Sequence, residues 1–489
     1  MRRSRPLPAT EPGGLEDNIR VPATWPGLIS LAWPAVATGM VRIAMRTVDL
    51  IVVGLVVGAS GVAAVGVADT AARLVLMVAL GLSAGTVATV SQRYGAGAHD
   101  AAADAATQTA LLAVTLGALA TVGGLLGAGP FFRLLGAGPD VAGPGTVYLR
   151  IVLATAVPRV LAIMLARVLQ AAGDTRTPMV VRVTATVVNI GLTVTLVGGP
   201  GPFPALGVVG AALGTAVGNI LGGTALAVVL WSGRARVRFR RAGLRATDVG
   251  RRIVRIGAPQ VAERTLYVLA EIPLNALTLA FGTAANAGFH VGRRVHLFAR
   301  VPAIGVGVAA SALVGTNLGR RDAVAAERYG DGAVGLAAVV GLAGAAVLVA
   351  AAGPIATAFG GGGDPEVHTV MASWVRTYGA ATVFLAVYEA LRSAMQAAGE
   401  TRLPLAASAV GIAGFLLGSS ALMALVLGWG AVGVQAGVVL DAVVRPALLG
   451  RWWRSGRWLR QAAGDVAAAP VEAVTGGRDR STPPTTGGR

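Results

Sequence analysis

Charged residues inside otherwise apolar stretches are the features of this sequence most able to do chemistry. The first long apolar stretch carries Arg42, Arg46 and Asp49, whose spacings of four and three place them on one helical face. Charges in the hydrocarbon core of a bilayer are costly, so each is a candidate functional residue. Asp49 could bind a cation or carry a proton, or it could form a structural ion pair with Arg46. Asp69 and Arg73, four apart in the next stretch, are better interpreted as an ion pair.

Hydroxyl and amide side chains elsewhere in the first half could complete a site around Asp49. Asn189 and Thr193 lie four residues apart, and Thr215 and Asn219 have the same spacing in the following apolar stretch. Uncharged oxygen ligands near one carboxylate can hold a sodium ion or relay a proton. Interhelical hydrogen bonding explains these residues equally well.

The second half carries a longer polar row, with Glu263, Tyr267 and Glu271 at positions i, i+4 and i+8 of one predicted helix. The next predicted helix holds several basic residues: His290, Arg293, Arg294, His296 and Arg300. We favour neutralisation of these arginines by the glutamates over a direct role in substrate binding.

The composition predicts an all-α polytopic membrane protein. Of 489 residues, 54% are hydrophobic and 13% are charged, against about a quarter charged in soluble domains. Several apolar stretches exceed the roughly twenty residues that a transmembrane helix needs. The net charge of +18 comes entirely from arginine, and loop topology explains it better than nucleic-acid binding does. Cysteine is absent, which excludes disulfides and thiol chemistry.

The chain repeats itself. Residues 169–178 read LQAAGDTRTP and residues 395–404 read MQAAGETRLP, so the two prolines are 226 positions apart (404 − 178). Two other landmarks keep nearly this offset, namely Pro34 with Pro259 and SQRYGAG (91–97) with GTNLGRR (315–321). Landmarks recurring in the same order indicate two structural copies. We assign an N-lobe to residues 25–232 and a C-lobe to residues 252–452.

Six predicted spans in each copy give twelve transmembrane helices in two pseudo-symmetric lobes. The spans are 27–57, 62–91, 104–128, 146–171, 178–198, 206–231, 252–281, 285–317, 331–352, 368–397, 404–427 and 430–451. Eight arginines fall within residues 232–252, whereas the loops expected on the opposite side carry little or no charge. Positive loops stay cytoplasmic. This asymmetry predicts a cytoplasmic tail (1–24), a basic cytoplasmic linker (233–251) and a disordered cytoplasmic tail (453–489).

Prolines occur in the leading span of each copy, at Pro34 and at Pro259. Each removes a backbone donor and permits a helix to bend, which could change access to a central cavity.

Several other activities are excluded or unsupported. Gly81 to Gly85 spells GxSxG, but it lies inside an apolar span and not at a strand-to-helix turn. Without lysine there is no Walker A motif, so energy for uphill transport must come from an ion gradient or a partner. No pattern indicates a catalytic acid–base pair, and we predict that the protein is not an enzyme.

Taken in order, the motifs resemble those of the MATE (multidrug and toxic compound extrusion) family of prokaryotes, across residues 25–450. In the first copy the resemblance rests on LAWP (31–34), VDLIVVG (48–54), SQRYGAG, LQAAGDTRTPM, VVNIGL (187–192) and GVVGAALGTAVGN (207–219). In the second it rests on GAP (257–259), VGTNLG (314–319) and MQAAGETRLP.

The resemblance implies two six-helix lobes around a V-shaped cavity, and export of organic, often cationic, compounds in exchange for H⁺ or Na⁺. It places Asp49 at the acid that binds the coupling ion, with Asn189, Thr193 and Thr215 as companion ligands. Some relatives carry a second acid where this chain has Thr193, and its absence favours a proton over sodium. The arginine-rich interior is unexpected for a protein that binds cations.

Two functions follow as expectations. The first is a cation-coupled efflux antiporter in the plasma membrane of a prokaryote, and the alternative is a flippase for an anionic lipid-linked sugar that uses the interior arginines. Arg46, Glu263, Tyr267, Glu271 and Arg293 are candidates for the substrate cavity or for ion pairs within a lobe. We expect a monomer with a small organic substrate and lipid contacts, no nucleic-acid partner, no cofactor, and no metal beyond sodium at Asp49.

Overall fold

The structure is a computed structural model that describes residues 22–199, 204–360, 363–456 and 458–459. The side chains of Arg46 and Leu50 lie outside this description. The N-lobe contains α1 (Trp25–Val57), α2 (Ala59–Gly95), α3 (His99–Leu134), α4 (Pro139–Ala154), α5 (Ala156–Ala171), α6 (Arg176–Gly198) and α7 (Val208–Trp231). The C-lobe contains α8 (Thr247–Ala280), α9 (Thr283–Ala299), α10 (Val301–Gly319), α11 (Ala323–Ala350), α12 (Ala352–Ala358), α13 (Pro365–Ala397), α14 (Arg402–Val410) and α15 (Ala431–Arg454).

The helices account for the twelve predicted spans. Nine of those in the described ranges are long and apolar enough to cross a bilayer, and α4 with α5 forms a tenth span bent by 52°. Helices α1 and α8, which fall outside this count, occupy the positions of the remaining two spans, and α8 carries seven charged residues. The prediction of an all-α polytopic protein with two six-helix lobes is confirmed.

Three predicted spans are less regular than expected. The fourth span breaks at Thr155 between α4 and α5, and the eighth breaks at Arg300 between α9 and α10. The eleventh continues beyond α14 in π-helical geometry over Gly411–Ser419 and Leu422–Val426. Such wide turns inside helices often mark functional positions. By contrast, α1 runs through Pro34 and α8 runs through Pro259 as continuous helices, so bending at these prolines remains a prediction.

The repeated decapeptide folds into the same helix–turn–helix in both lobes. Gly173 and Gly399 follow α5 and α13 with φ of 80° and 87°, the left-handed conformation that glycine adopts without strain. The acid that comes next then caps the following helix. Asp174 Oδ1 accepts from the backbone N–H of Thr177 (3.0 Å), and Glu400 Oε1 accepts from that of Leu403 (3.0 Å). The shared sequence is therefore explained by a shared turn.

The two lobes meet through a pseudo-symmetric pair of helix contacts, α2 with α8 and α10 with α1. A Cβ added at Gly81 would overlap Val261 of α8, and a Cβ at Gly305, the equivalent position, would overlap Val36 of α1. We call the α2–α8 and α1–α10 contacts the inter-lobe seam. It involves the first part of α1, α8 and α10 and the last part of α2, which the predicted topology places in the cytoplasmic half of the membrane.

The predicted boundaries of the linker and of the C-terminal tail need correction. Helix α8 begins at Thr247 rather than at residue 252, and Arg240 in the linker forms ion pairs with Asp100 and Asp104 of the N-lobe. Trp453 and Trp458 are buried and stacked with ring centroids 4.0 Å apart, so they belong to the C-lobe and not to a disordered tail. Residues 1–21 and 460–489 of the predicted tails lie outside the described residues.

Candidate functional site

Asp49 lies in the second half of α1, inside the N-lobe. Its Oδ1 atom is shielded from solvent. Val53, one turn further along α1, is fully buried in a cluster that includes Val197 of α6 and Ala211 of α7. The Asp49 side chain is therefore partly buried, and its Oδ1 atom lies where a charge interacts more strongly with its neighbours than it would in water.

Tyr148 on α4 lies beside Thr215 of α7. The Tyr148 side chain is buried, it interacts with the side chain of Thr215, and it is within electrostatic range of Asp49 and Asp69. Asp69 itself pairs with Arg73 at 3.8 Å. Sequence reasoning did not identify this phenol, which lies beside Thr215 and within electrostatic range of Asp49.

Asn189 and Thr193 occupy the face of α6 that packs against α7. Both residues are fully buried, and both side-chain atoms of Asn189 and the hydroxyl of Thr193 have no hydrogen-bond partner among the described residues. A Cβ added at Gly214 would stand 2.6 Å from Thr193 Oγ1, and one at Gly218 would stand 3.1 Å from Asn189 Cβ. The two glycines flank Thr215, so Asn189 and Thr193 lie beside the helix segment that carries it.

Orphaned polar atoms in a protein interior are unusual, because each costs free energy unless it finds a partner. Oxygen atoms of Asp49, Thr215, Thr193 and Asn189 are a suitable donor set for Na⁺, and a single carboxylate among hydroxyls is equally able to take up a proton. We call Asp49, Tyr148, Asn189, Thr193 and Thr215 the N-lobe polar site. The side chain of Arg46, predicted nearby, lies outside the described part of the chain.

A second buried polar site surrounds Glu263 of α8 in the C-lobe. Tyr388 and Ser408 donate to Glu263 Oε1 at 2.6 and 3.0 Å, and Gln260 donates to Oε2 at 2.7 Å. Glu263 itself is 2% exposed. This carboxylate is therefore stabilised mainly by neutral donors from α8, α13 and α14, and not by the arginines of α9.

The other residues of the predicted row on α8 face different partners. Glu271 forms an ion pair with Arg293 of α9. The guanidinium carbon of Arg445 lies 4.9 Å from the ring centroid of Tyr267, and Arg445 is also ion-paired with Asp441 of its own helix. Arg445 also lies 5.3 Å from the ring centroid of Tyr388, which donates to Glu263, so Tyr267 and Glu263 share a neighbourhood whereas Glu271 pairs with α9.

We predict that Glu263→Ala destabilises the protein by about 1–3 kcal/mol, because buried donors on Tyr388, Ser408 and Gln260 lose their acceptor. Thermal unfolding of the purified protein measures the effect. Glu271→Ala is the matched control on the same helix. Since Glu271 is half exposed, its ion pair should contribute less than about 1 kcal/mol. Equal losses in the two variants would contradict this description of the Glu263 site.

Sequence reasoning missed several members of these sites. Asp441 and Arg445 are four apart on one helix, a spacing that could have been recognised. Tyr148, Tyr388 and Ser408 carried no comparable signal, because each is a single polar residue whose role depends on a distant helix.

Known proteins resemble this chain over most of its length. A probable multidrug resistance protein NorM of Thermotoga maritima is 25% identical over 451 residues, which cover 90% of this chain and 95% of that protein. A probable NorM of Bradyrhizobium diazoefficiens is 28% identical over 438 residues, which cover 86% and 91%.

Solved structures share the fold. A MATE transporter in the bent conformation superposes with a TM-score of 0.81 at 23% identity, covering 91% of this chain and 97% of that one. A mutant of the Vibrio cholerae MATE transporter VcmN superposes with a TM-score of 0.82 at 21% identity, covering 90% and 99%. The MatE family model matches residues 34–195 and 259–419, once in each lobe. Since these matches cover more than half of the chain, the protein belongs to the MatE family of multi-pass multidrug efflux transporters, which are not enzymes.

Proposed function

We propose that this protein is a secondary active antiporter that exports organic compounds in exchange for H⁺ or Na⁺ by alternating access. The observation that carries the proposal is the N-lobe polar site, in which a shielded carboxylate oxygen lies in the same lobe as buried hydroxyl and amide groups that have no hydrogen-bond partner among the described residues. Asp49 is the residue that would bind the coupling ion, with Asn189, Thr193 and Thr215 as companion ligands.

Exchange requires that ion and substrate favour different conformations, because a ligand shifts an equilibrium only by its difference in affinity for the two states. The inter-lobe seam offers a second conformation in which α2 and α8, and α1 and α10, separate. Ion binding in the N-lobe would alter the packing of α1, which carries both Asp49 and one side of the seam. Pro34, which lies within the part of α1 that forms the seam, is the proposed position at which α1 bends, and Pro259 is its counterpart in α8.

We also propose that both termini and the linker between the lobes face the cytoplasm of a prokaryotic cell. The linker is strongly basic, and positive loops stay on the cytoplasmic side. In this orientation the seam closes the cytoplasmic side of the transporter.

Purified protein in vesicles tests the function. A proton gradient and then a sodium gradient are imposed, and movement of fluorescent organic probes, one cationic and one anionic, is followed. We expect one gradient to drive at least one probe against its concentration. Probe movement that is equal with and without each gradient would contradict coupled antiport.

Thr193→Val tests the companion ligands. Valine has nearly the shape of threonine without its buried, unpartnered hydroxyl, so we predict about 1 kcal/mol of added stability without the coupling ion, together with weaker ion coupling. Thermal unfolding and gradient-driven transport are measured for each protein. Thr195→Val on the same helix is the control, because the Thr195 hydroxyl already donates to the backbone of Gly191. Unchanged coupling in Thr193→Val would contradict a role in ion binding.

A further inference from the structure

Five arginines from both lobes converge near the inter-lobe seam. They are Arg42 of α1, Arg167 of α5, Arg264 of α8, Arg300 between α9 and α10, and Arg392 of α13, and we call them the inter-lobe arginine cluster. Arg167 is within electrostatic range of Arg42 and Arg392, and Arg264 is within electrostatic range of Arg392 and Arg167. One group of like charges therefore bridges the two halves of the transporter.

Among the described residues, two carboxylates interact with arginines of this cluster, one through ion pairs and one at longer range. Glu389 forms ion pairs with Arg392 and, at 3.0 Å, with Arg300, and Glu263 lies close enough to Arg264 and Arg392 for attraction. Glu263 already accepts three hydrogen bonds from neutral donors. The two carboxylates described near the cluster are thus outnumbered by four of its arginines, namely Arg167, Arg264, Arg300 and Arg392.

The arginines have unused hydrogen-bonding capacity. The Nε–H groups of Arg264 and Arg392 are buried and have no hydrogen-bond partner among the described residues. Arg167 lines a small cavity between the lobes together with Gln170 of the same helix and Ser311 of α10. Uncompensated positive charge is costly in a low-dielectric interior, and it becomes favourable when an anion binds.

Guanidinium groups match carboxylate, sulfonate and phosphate groups, because their planar fork can donate two parallel hydrogen bonds. The small cavity beside Arg167 is otherwise lined mainly by apolar residues such as Val87 and Val308. We propose that the substrate is an amphipathic organic anion whose charged group is bound by the inter-lobe arginine cluster. This inference rests on the proposed antiport function and adds the substrate class.

A matched pair of probes tests the charge preference by direct binding. The affinities of 9-anthracenesulfonate and (9-anthracenylmethyl)trimethylammonium for the full-length protein in detergent are measured by fluorescence anisotropy. We expect the sulfonate to bind at least about tenfold more tightly. Equal affinities, or tighter binding of the ammonium probe, would overturn the inference.

Variants locate the site. Arg264→Gln and Arg167→Gln, one in each lobe, should each weaken sulfonate binding by about tenfold or more, the expected size for a lost charged hydrogen bond. Arg264→Lys should recover part of the loss, and Arg133→Gln, an exposed arginine of α3, is the control that should leave binding unchanged. Elution as a single monodisperse peak confirms that each variant is folded. Wild-type affinity in both glutamine variants would overturn the assignment.

Transport separates the inference from the function on which it rests. If an ion gradient drives the ammonium probe and the protein does not bind the sulfonate, antiport stands and the inference fails. If the sulfonate binds through the arginines and no gradient drives transport, the inference stands and antiport fails. A parallel assay of fluorescent phosphatidylglycerol flipping, read by dithionite quenching, shows whether the anion is a lipid headgroup or a soluble compound.

Discussion

We expect Asp49→Asn to fold normally and to reduce the rate of ion-driven transport in vesicles by about 100-fold. Asparagine has the same shape as aspartate but cannot carry a negative charge or release a proton, so the N-lobe polar site loses its one carboxylate. A loss of this size corresponds to about 2.7 kcal/mol of coupling free energy. The measurement is the initial rate of probe movement under the gradient that drives the wild type.

Asp69→Asn is the matched control for Asp49→Asn. Asp69 also lies near Tyr148, yet its charge pairs with Arg73 on its own helix at a partly exposed position. An exposed pair of this kind contributes little to stability. We expect Asp69→Asn to retain most of the transport rate. Equal rates for the two variants would contradict the assignment of Asp49 as the ion-binding residue.

Gly85→Val is expected to open the inter-lobe seam and to reduce transport by at least about tenfold. A Cβ at Gly85 would overlap the backbone carbonyl of Ile253, so α2 and α8 cannot keep their present distance. Overpacking at such a contact costs about 1–3 kcal/mol, enough to shift an equilibrium between two conformations by roughly 5- to 150-fold. In the proposed topology, the variant favours the state that is open to the cytoplasm.

Accessibility of one engineered cysteine measures this shift, because the natural chain contains no cysteine. Ser311→Cys, on the small cavity between the lobes, is labelled with a membrane-impermeant maleimide from each side of the vesicle membrane. We expect Gly85→Val to speed labelling from the cytoplasmic side. Gly66→Val on the same helix is the control, since a Cβ there would meet no atom within 4 Å. Equal labelling in both variants would contradict a gating role for the seam.

The repeat and the spans could be predicted from the sequence because the physical constraints are local. A bilayer requires long apolar helices, and the turn at Gly173 requires a glycine, a capping acid and a helix start, all of which recur at Gly399. The local sequence is therefore sufficient to predict both the membrane-spanning helices and the repeated turn. The twelve span positions followed for the same reason.

The breaks within two of the spans and the hydrogen-bond partners of Glu263 could not be predicted in this way. A proline follows each break within three residues, Pro158 after Thr155 and Pro302 after Arg300. Proline alone does not identify a break, however, because α1 and α8 continue through Pro34 and Pro259. Glu263 was identified as a charged residue within a predicted span, but its donors Tyr388 and Ser408 lie more than 120 positions further along the chain. Their contact depends on how α8, α13 and α14 pack.

Reciprocal coupling is the most direct test of the antiport that we propose. Vesicles are loaded with substrate at equal pH and equal sodium on both sides, and ion movement is then followed as substrate leaves down its own gradient. Ions should move in the opposite direction in the wild type, and Asp49→Asn should abolish that movement. Substrate leaving without opposite ion movement, at the same rate in both proteins, would contradict antiport through Asp49.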